Sequence, residues 1–257
     1  MLIFDQIYGI LWYLIPFFIL IIFLKYTLKS SWFKGIFGEF IVNLSAKLFL
    51  DKNQYHLIKN VTLPTEDGST QIDHIIVSKY GVFVVETKNM KGWIFGSSNQ
   101  KIWTQKIYNH SNKFQNPLHQ NYKHTKTLES LLGLSEEKIF SVIVFIGNST
   151  FKTEMPENVT YGRGYINFIK SKKQPVLSLS EVQEVISKIK TGRLTPSFKT
   201  NREHVKHVKS IVAEKVQICP KCGNKMVMRE VKKGQNIGKK FWGCSNFPKC
   251  RGVVNIK

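Results

Sequence analysis

Two acidic residues and a lysine are spaced so that a β-hairpin would bring them together on one face. Residues 71–77 and 81–88 each alternate with the two-residue period of a strand, so Asp73 in the first segment and Glu86 and Lys88 in the second point to one face. A four-residue turn ending in glycine joins the segments and sets Asp73 opposite Glu86, to within one residue. The pattern predicts two carboxylates and an ammonium close together at the end of an apolar sheet.

Carboxylates held this close repel each other unless one is protonated or both bind a cation. Hard oxygen ligands suit Mg²⁺ or Mn²⁺, which keep water as their remaining ligands. A nearby lysine can hold a water or stabilise charge on a phosphate, so the set contains the parts needed to hydrolyse a phosphodiester. The alternative is an exposed salt bridge between Glu86 and Lys88 on an edge strand. The apolar runs 75–77 and 82–85 favour a central strand, where an unused charged pair is costly.

The order and spacing of these residues resemble those of the nuclease-related domain (NERD), a family of the restriction-endonuclease-like PD-(D/E)xK group. The resemblance covers about residues 34–150 and implies a metal-dependent nuclease fold, with Asp73 and Glu86 as metal ligands and Lys88 as the catalytic lysine. Ile72 stands where the group's name has proline. The motifs that carry the resemblance are Gly38-Glu39, Asp73, Glu86-Thr87-Lys88, Gly92-Trp93 and Trp103-Thr104-Gln105, in which Glu39 matches the family's helix acid and Gln105 its later polar position.

All four cysteines lie near the C-terminal end of the sequence, in two pairs. Cys219 and Cys222 form a CxxC pair, and Cys244 and Cys250 follow after 21 intervening residues. This spacing predicts a zinc ribbon with four thiolate ligands, whose intervening segment forms a hairpin. Two disulfides are the alternative, but a CxxC pair followed by glycine forms a sharp turn that suits a metal better. Free thiolates also imply a reducing compartment.

This segment closely resembles the four-cysteine zinc finger of bacterial type I topoisomerases, over about residues 217–256. In that family the ribbon binds single-stranded DNA, and the resemblance implies DNA as the partner here. The shared residues are Cys219-Pro220-x-Cys222-Gly223, Met226, Arg229 and Phe241-x-Gly243-Cys244-Ser245-Asn246-Phe247-Pro248-x-Cys250.

The composition of the same segment also favours nucleic acid. Residues 215–257 contain eleven Lys or Arg and one Glu, interleaved with aromatic side chains that can stack on bases. For Phe241 and Phe247, a place in the ribbon's own small core is an equally good interpretation. The predicted nucleic-acid-binding residues are Arg229, Lys239, Lys240, Phe241, Trp242, Phe247 and Arg251.

The whole chain carries an excess of positive charge. Its 257 residues include 38 Lys or Arg and 17 Asp or Glu, which gives a formal net charge of +21 and a sequence pI near 9.8. Such an excess favours a polyanionic partner, either nucleic acid or an anionic membrane surface. A solvated basic surface is the plain alternative.

The N-terminal stretch 7–24 contains no charged residue. Its 18 positions would span about 27 Å as a helix, enough for the hydrocarbon core of a bilayer. Three lysines follow the stretch and only Asp5 precedes it, so the positive-inside rule places the rest of the chain in the cytoplasm. We therefore expect a single-pass anchor in the cell membrane. A buried core helix and a cleaved signal peptide are the alternatives, and the second lacks a basic start and a small-x-small site.

The predicted fold class is α/β: a restriction-endonuclease-like mixed sheet flanked by helices, plus an N-terminal transmembrane helix and a C-terminal zinc ribbon. Further along the chain, the sequence predicts a polar helix that begins at Asn116-Pro117 and runs to about Leu132, an apolar strand at 139–146, a short strand at 165–169 and a helix that begins with a capping box at Ser178. His74 follows Asp73 but points to the opposite face of the sheet, so we expect it in the core. The predicted domains are an anchor at 1–30, a nuclease-related domain at 31–192 with its core at about 34–150, a basic helix and linker at 193–216, and the ribbon at 217–257.

Three functions are compatible with these features. The first is a membrane-anchored, Mg²⁺-dependent nuclease that captures DNA with its ribbon. The second is a protein that binds or tethers nucleic acid and has an inactive nuclease-like core. The third is a membrane-surface protein whose positive charge binds anionic lipid. The joint presence of Asp73, Glu86 and Lys88 favours the first.

Overall fold

The computed structural model describes residues 17–21, 25–27, 30–65, 68–195, 219–231, 237–238 and 240–255. The chain divides into two compact units, the first comprising 1–65 and 70–194 and the second comprising 66–69 and 195–257. In chain order, the described residues up to 195 form α1 (Ser31–Phe49), β1 (His56–Thr65), β2 (Gly68–Ser78), β3 (Gly81–Asn89), β4 (Gly92–Phe95), β5 (Ile102–Ile107), β6 (His110–Gln115), α2 (Pro117–Leu132), a 3₁₀ turn (Glu136–Lys138), β7 (Ile139–Ile146), β8 (Ser149–Phe151), β9 (Val159–Tyr161), α3 (Gly164–Ser171) and α4 (Leu179–Gly192).

The central sheet has five strands in the order β1-β2-β3-β7-β9. β2 and β3 form an antiparallel hairpin, whereas β3 pairs in parallel with β7, and β7 with β9. The mixed α/β sheet predicted from the sequence is therefore present. β3 lies in the middle of this sheet and β7 beside it, as their nearly continuous apolar sequences indicate.

A second sheet, ordered β6-β5-β4-β8, continues two strands of the first. β4 follows β3 and β8 follows β7, and the two continuations pair in parallel as β3 and β7 do. Two glycines with positive φ, Gly92 at 79° and Gly147 at 93°, lie where the chain passes between the sheets. A Cβ at either position would meet a backbone carbonyl, that of Lys106 or Met90, so only glycine fits there.

Helices cover both faces of the central sheet. On one face Leu128 of α2 and Ile189 of α4 are fully buried. On the other face Val42 of α1 and Tyr165 of α3 pack against Phe83 of β3, and the Tyr165 hydroxyl donates a hydrogen bond to the carbonyl of Val42 (2.6 Å). β3 therefore has an apolar layer on each side, which fixes the position of the polar residues at its C-terminal end.

Two helices begin as the sequence predicts. Asn116 caps α2 by accepting a hydrogen bond from the amide of Leu118 (2.9 Å), and Gly133 ends that helix with φ at 69°. α4 begins with the predicted capping box between Ser178 and Glu181. The predicted short strand at 165–169 is wrong, because these residues belong to α3.

The second unit contains β10 (Met226–Glu230), β11 (Lys240–Cys244) and β12 (Val253–Asn255), which form an antiparallel sheet. The hairpin predicted between the two cysteine pairs is the β10–β11 pair. A Cβ on Gly252 would clash with the sulfur of Cys219, so glycine at this position lets the chain pass close to the cysteine cluster. Most of the predicted basic helix and linker at 193–216 lies outside the described residues.

The transmembrane helix in the predicted fold class is wrong. Among the residues that the structure describes, no helix is both long enough and apolar enough to cross a membrane. A bilayer core requires about 20 consecutive apolar residues, and α1, the longest described helix, has 19 residues that include Lys34, Glu39 and Lys47. Within the predicted span, residues 17–21 are helical, and 7–16 and 22–24 lie outside the described residues. The membrane predicted as a partner is likewise unsupported.

Candidate active site and zinc centre

The β2–β3 hairpin places Asp73 and Glu86 on facing strands. Its register pairs His74 with Val85, so Asp73 and Glu86 face each other one position further along. The amide of Thr87 donates a hydrogen bond to Oδ2 of Asp73 (3.0 Å). Among the described residues Oδ1 of Asp73 has no hydrogen-bond partner, so this oxygen is available to a ligand.

Lys88 supplies positive charge directly to Glu86. Its Nζ donates hydrogen bonds to Oε1 of Glu86 (2.7 Å) and to Oε1 of Gln120 on α2 (2.8 Å). The Glu86 side chain is 4% exposed and that of Lys88 is 20% exposed. Because an ammonium has three N–H donors, one donor of Lys88 remains for a water or a phosphate oxygen at the surface of the site.

His124 of α2 contacts the other oxygen of Glu86. The distance from His124 Nε2 to Glu86 Oε2 is 3.4 Å, and Nδ1 of the same ring lies 2.9 Å from Oγ1 of Thr70 on β2. The side chains of His124 and Thr70 are buried. Glu86 is therefore held between a lysine on its own strand and a histidine on the helix packed against that strand.

Sequence reasoning missed this contribution of α2 to the site. Asn121, one helical turn before His124, donates hydrogen bonds to the carbonyl of Val84 and to Oγ of Ser141 (both 2.8 Å), which attaches the helix to β3 and β7. A signal was available in the sequence, because Asn121 and His124 are in helical phase with the buried Leu128. Polar residues on the core-facing side of a helix need hydrogen-bond partners. The acids on the strands are the charged partners available to them.

Glu39 approaches the acids from the opposite face of the sheet. It follows Gly38, where a Cβ would lie 3.1 Å from Cβ of Asn89, so glycine allows α1 to pack closely on the end of β3. The charge of Glu39 acts on Asp73, and that of Glu86 acts on Glu39. The helix acid expected from the resemblance is thus part of the same electrostatic cluster.

The three carboxylates have different affinities for protons. Burial raises the pKa of Asp73 well above its usual range, and the negative charge of Glu86 raises it further. Burial, followed by the charge of Glu86, also raises the pKa of Glu39. Burial acts to raise the pKa of Glu86 too, but Lys88 and His124 outweigh that effect and lower it. The site therefore contains one carboxylate whose charge is well compensated, Glu86, and two whose ionisation is disfavoured, Asp73 and Glu39.

Two other polar residues lie apart from this cluster. The Nε2 of Gln105 on β5 donates a hydrogen bond to the carbonyl of Lys91 (2.8 Å), in the segment that follows β3, and within the described residues its side chain has no hydrogen bond to Asp73, Glu86 or Lys88. His74 points away from Asp73 into the core, where burial lowers its pKa to about 4.

The four cysteines form a separate cluster in the second unit. Their sulfur atoms all lie within 4.8 Å of one another, with 3.7 Å between Cys219 and Cys250 and 3.4 Å between Cys222 and Cys244. These distances exclude disulfides, whose sulfur atoms lie about 2 Å apart. A tetrahedral Zn²⁺ with Zn–S bonds of about 2.3 Å separates its sulfur ligands by nearly 4 Å, so the cluster fits zinc.

The predicted nucleic-acid-binding residues of the ribbon divide between its surface and its core. Phe247 is 55% exposed, and the guanidinium of Arg229 lies over its ring at 5.3 Å. Trp242 instead packs against the cysteine cluster, and Phe241 is partly buried beside Gly243. Arg251 is exposed, whereas Lys239 and the side chain of Lys240 lie outside the described residues.

Comparison with known proteins agrees with these two centres. Residues 34–146 match the family described as the nuclease-related domain, and residues 216–257 match the topoisomerase DNA binding C4 zinc finger. A nuclease-related domain joined to a C4 finger of this type indicates a nuclease-like, DNA-binding protein, and the finger identifies the four cysteines as a Zn²⁺ site.

An uncharacterized protein of Bacillus anthracis is similar to part of the chain. It is 51% identical over 100 residues, which are 38% of this chain and 47% of that protein. The chain thus spans about half the length of the curated relative that it matches. No solved structure matches the chain.

Proposed function

We propose that the nuclease-related domain hydrolyses phosphodiester bonds of nucleic acid, with a divalent cation held by Asp73 and Glu86. The observation that carries this proposal is the convergence of three charged groups at the C-terminal end of a central strand. Lys88 lies 2.7 Å from Glu86, and Asp73 is held to the same strand through the amide of Thr87. An ordinary surface salt bridge would remain exposed to solvent, because burying charged groups is costly.

The donor set fits Mg²⁺ or Mn²⁺. Mg²⁺ keeps several waters and is usually bound by one or two carboxylates, which Asp73 and Glu86 supply, and the carbonyl of Thr87 is a third oxygen. Excess negative charge at the site supports the same conclusion, because the carboxylates of Asp73 and Glu39 both have raised pKa values that a cation would lower. Glu39 would then assist a second cation.

The chain's own residues have distinct tasks in this proposal. A divalent cation, when bound, supplies Lewis-acid polarisation of the phosphate and activation of a water. Lys88 orients the attacking water through the N–H that neither Glu86 nor Gln120 occupies, and its charge offsets that of the phosphate. His124 holds the Glu86 carboxylate in place from the side of α2. Gln105 positions the backbone after β3 through its bond to Lys91.

The ribbon would supply affinity for DNA. Its exposed Phe247 and the cationic Arg229 beside it match the combination of stacking surface and positive charge that single strands favour. Capture by one unit and hydrolysis by the other is the division of labour that we propose, with Lys240 and Arg251 as further phosphate contacts and Lys239 beside them in sequence.

Cleavage of plasmid and single-stranded DNA by the full chain tests the proposal. We expect Mg²⁺-dependent cleavage that Glu86→Gln and Lys88→Ala each reduce by about 10²–10³-fold, because each removes charge from the reacting centre. The matched controls are Glu184→Gln and Lys188→Ala, which break an exposed ion pair on α4 and should leave cleavage unchanged. Equal cleavage by the wild type and both site variants would contradict the mechanism.

A second candidate function is binding without catalysis. Among the described residues only the four cysteines bring three or more ligand atoms within 4.8 Å of one another, and Lys88 already neutralises part of the acid cluster. A nuclease-like core of this kind could tether nucleic acid without cutting it. The same assay decides between the two, since this candidate predicts retained DNA binding with no Mg²⁺-dependent cleavage in any variant.

A further inference from the structure

A concave, basic and aromatic surface lies on the second sheet, outside the acid cluster. It is a cavity of about 430 Å³ on the outer side of β4 and β5, and we call it the β4–β5 cavity. Its volume is within the range of small-ligand sites. The side chains that define it chemically are Lys91, Trp93, Lys106, Tyr108, Asn148 and Thr150.

Trp93 forms the centre of this surface because of the strand register. It pairs with Lys106 on β5 and with Thr150 on β8, so these three side chains form one row across the sheet. Its neighbour Ile94 faces the core and is fully buried, whereas Trp93 is 48% exposed. Nearly half of this large aromatic side chain therefore faces solvent, with the ammonium of Lys152 over its ring.

Tyr108 adds a second aromatic side chain. It lies at the turn between β5 and β6, has φ at 50°, and is 92% exposed. Non-glycine residues with positive φ are uncommon and frequently mark functional positions. The β5–β6 turn thus places the ring of Tyr108 at the rim of the cavity.

The charged side chains at the cavity are all positive. Lys91 and Lys106 line it, and the ammonium of Lys152 lies 4.7 Å from the centre of the Trp93 ring. No acidic residue lines the cavity, and within the described part of the chain no carboxylate forms an ion pair with these three lysines. Cations beside exposed aromatic rings match the phosphates and bases of a flexible strand.

The cavity is also close in sequence to the proposed active site. Lys91 follows Lys88 by three residues, and three residues of extended chain span at most about 11 Å. Trp93 is five residues from Lys88, which corresponds to at most about 18 Å. A strand of a few nucleotides could therefore occupy both places at once.

We propose that the β4–β5 cavity binds an unpaired nucleotide of the nucleic-acid substrate, whose base stacks on Trp93 and Tyr108 while its phosphates contact Lys91, Lys106 and Lys152. The inference rests on the nuclease function proposed above, because it names single-stranded nucleic acid as the form that this unit holds beside its acids. Base-paired duplex cannot offer a free base face to the two rings.

Photo-crosslinking of the full, zinc-loaded chain tests this proposal directly. The probe is a single-stranded oligonucleotide of about ten nucleotides, near the middle of the range of single-strand site sizes, which carries 5-bromodeoxyuridine and is used without magnesium so that cleavage cannot occur. We expect mass spectrometry of the adducts to find crosslinks at Trp93 or Tyr108. Crosslinks found only in residues 219–255 would overturn the proposal.

Variants make the test quantitative. Trp93→Ala and Lys106→Ala should each lower the crosslink yield in residues 91–108 about tenfold, the order expected for one stacked base. Tyr122→Ala and Lys113→Ala are the controls, since Tyr122 is an exposed aromatic on α2 and Lys113 an exposed lysine on β6 outside the cavity. Equal loss in the controls, or equally strong competition by a blunt duplex, would contradict the assignment.

The result is separable from the fate of the nuclease function. Glu86→Gln should retain the crosslinks, because the probe binds without metal. Crosslinks at Trp93 without any Mg²⁺-dependent cleavage would support the cavity and contradict the nuclease. Mg²⁺-dependent cleavage without crosslinks in the β4–β5 cavity would support the nuclease and contradict the nucleotide site.

Discussion

At the scale of single residues, Glu86 organises the site through its two oxygens. One accepts a hydrogen bond from Lys88 and the other faces His124, so its negative charge is balanced within the protein. For Asp73, the amide of Thr87 and the charge of Lys88 do not offset burial and the charge of Glu86, so its pKa is raised while that of Glu86 is lowered. Asp73 is therefore the residue whose ionisation is most costly to the folded protein and most useful to a cation.

A change of stability with pH follows from this imbalance. Burial, and then Glu86, raise the pKa of Asp73 above its ordinary value of 3.8, so the folded state binds this proton more tightly than the unfolded state does. The resulting penalty is absent below pH 3.8 and grows as the pH rises through the raised pKa. Asp73→Asn retains the acceptor for Thr87 and removes the charge. We expect it to raise the melting temperature in metal-free buffer at pH 7.

Melting curves of the wild type and Asp73→Asn from pH 3 to pH 8 check this prediction. The difference between the two proteins should shrink as the pH falls and vanish near the ordinary pKa of a free Asp. A variant that is less stable than the wild type at pH 7, or a difference in melting temperature that does not depend on pH, would show that ionised Asp73 does not destabilise the folded state.

The positions of the strand residues could be predicted from the sequence, whereas the role of His124 could not. Alternation with period two was sufficient to place Asp73 opposite Glu86 and His74 in the core. The role of His124 was missed because it depends on which face of α2 packs on the sheet, and that is a tertiary fact. The in-phase positions of Asn121 and His124 were the available signal.

At the scale of elements, α2 determines how the site is supported. Asn116 at its start accepts a hydrogen bond from the amide of Leu118, and its Nδ2 contacts three carbonyls in the loop before β5, those of Ser97, Ser98 and Gln100. The residue is fully buried. One side chain thus starts the helix and also orders the loop, and both functions are lost together if it is removed.

Substitution of Asn116 should cost more than substitution of an ordinary helix cap. We expect Asn116→Ala to lower the free energy of unfolding by about 2–3 kcal/mol, from loss of the cap and of hydrogen bonds to buried carbonyls. Ser178→Ala at the start of α4 removes a capping box alone and should cost about 1 kcal/mol. Urea unfolding of both variants measures the difference, and equal costs would contradict the second role of Asn116.

Elements with strong local signals were predictable, and elements decided by packing were not. α2 and β7 have the bounds that the caps and the apolar run indicated. Residues 165–169 have a short apolar pattern that fits a strand or a helix equally well. The helix forms because Tyr165, Ile166 and Ile169 are buried on one helical face against α1 and the sheet.

At the scale of the whole molecule, the acid cluster and the cysteine cluster lie in different compact units. The two compact units have their own cores, one around β3 and the other around the four cysteines. The small core of the ribbon contains little beyond Met226 and the cysteines themselves, so its fold depends on the metal. Each unit has a cation over an aromatic ring, Lys152 over Trp93 in the first and Arg229 over Phe247 in the second.

Removing one zinc ligand should therefore affect the two units differently. We expect Cys244→Ser to weaken binding of single-stranded DNA by about tenfold or more, because the ribbon loses its fold and its stacking surface. Thermal unfolding of the first unit should be unchanged. Ser245→Ala, an exposed neighbour in the ribbon, is the control. Unchanged DNA affinity in Cys244→Ser, measured by fluorescence anisotropy, would contradict a binding role for the ribbon.

Calorimetry shows whether the acid cluster binds a divalent cation, on which the proposed nuclease activity depends. Mg²⁺ or Mn²⁺ is titrated into the zinc-loaded full chain, its Asp73→Asn variant and the control Lys113→Ala. We predict saturable uptake by the wild type and by Lys113→Ala, and its loss in Asp73→Asn, because the free oxygen of Asp73 is the ligand that the site offers. No uptake by the wild type, or undiminished uptake by Asp73→Asn, would mean that Asp73 and Glu86 do not form a metal site.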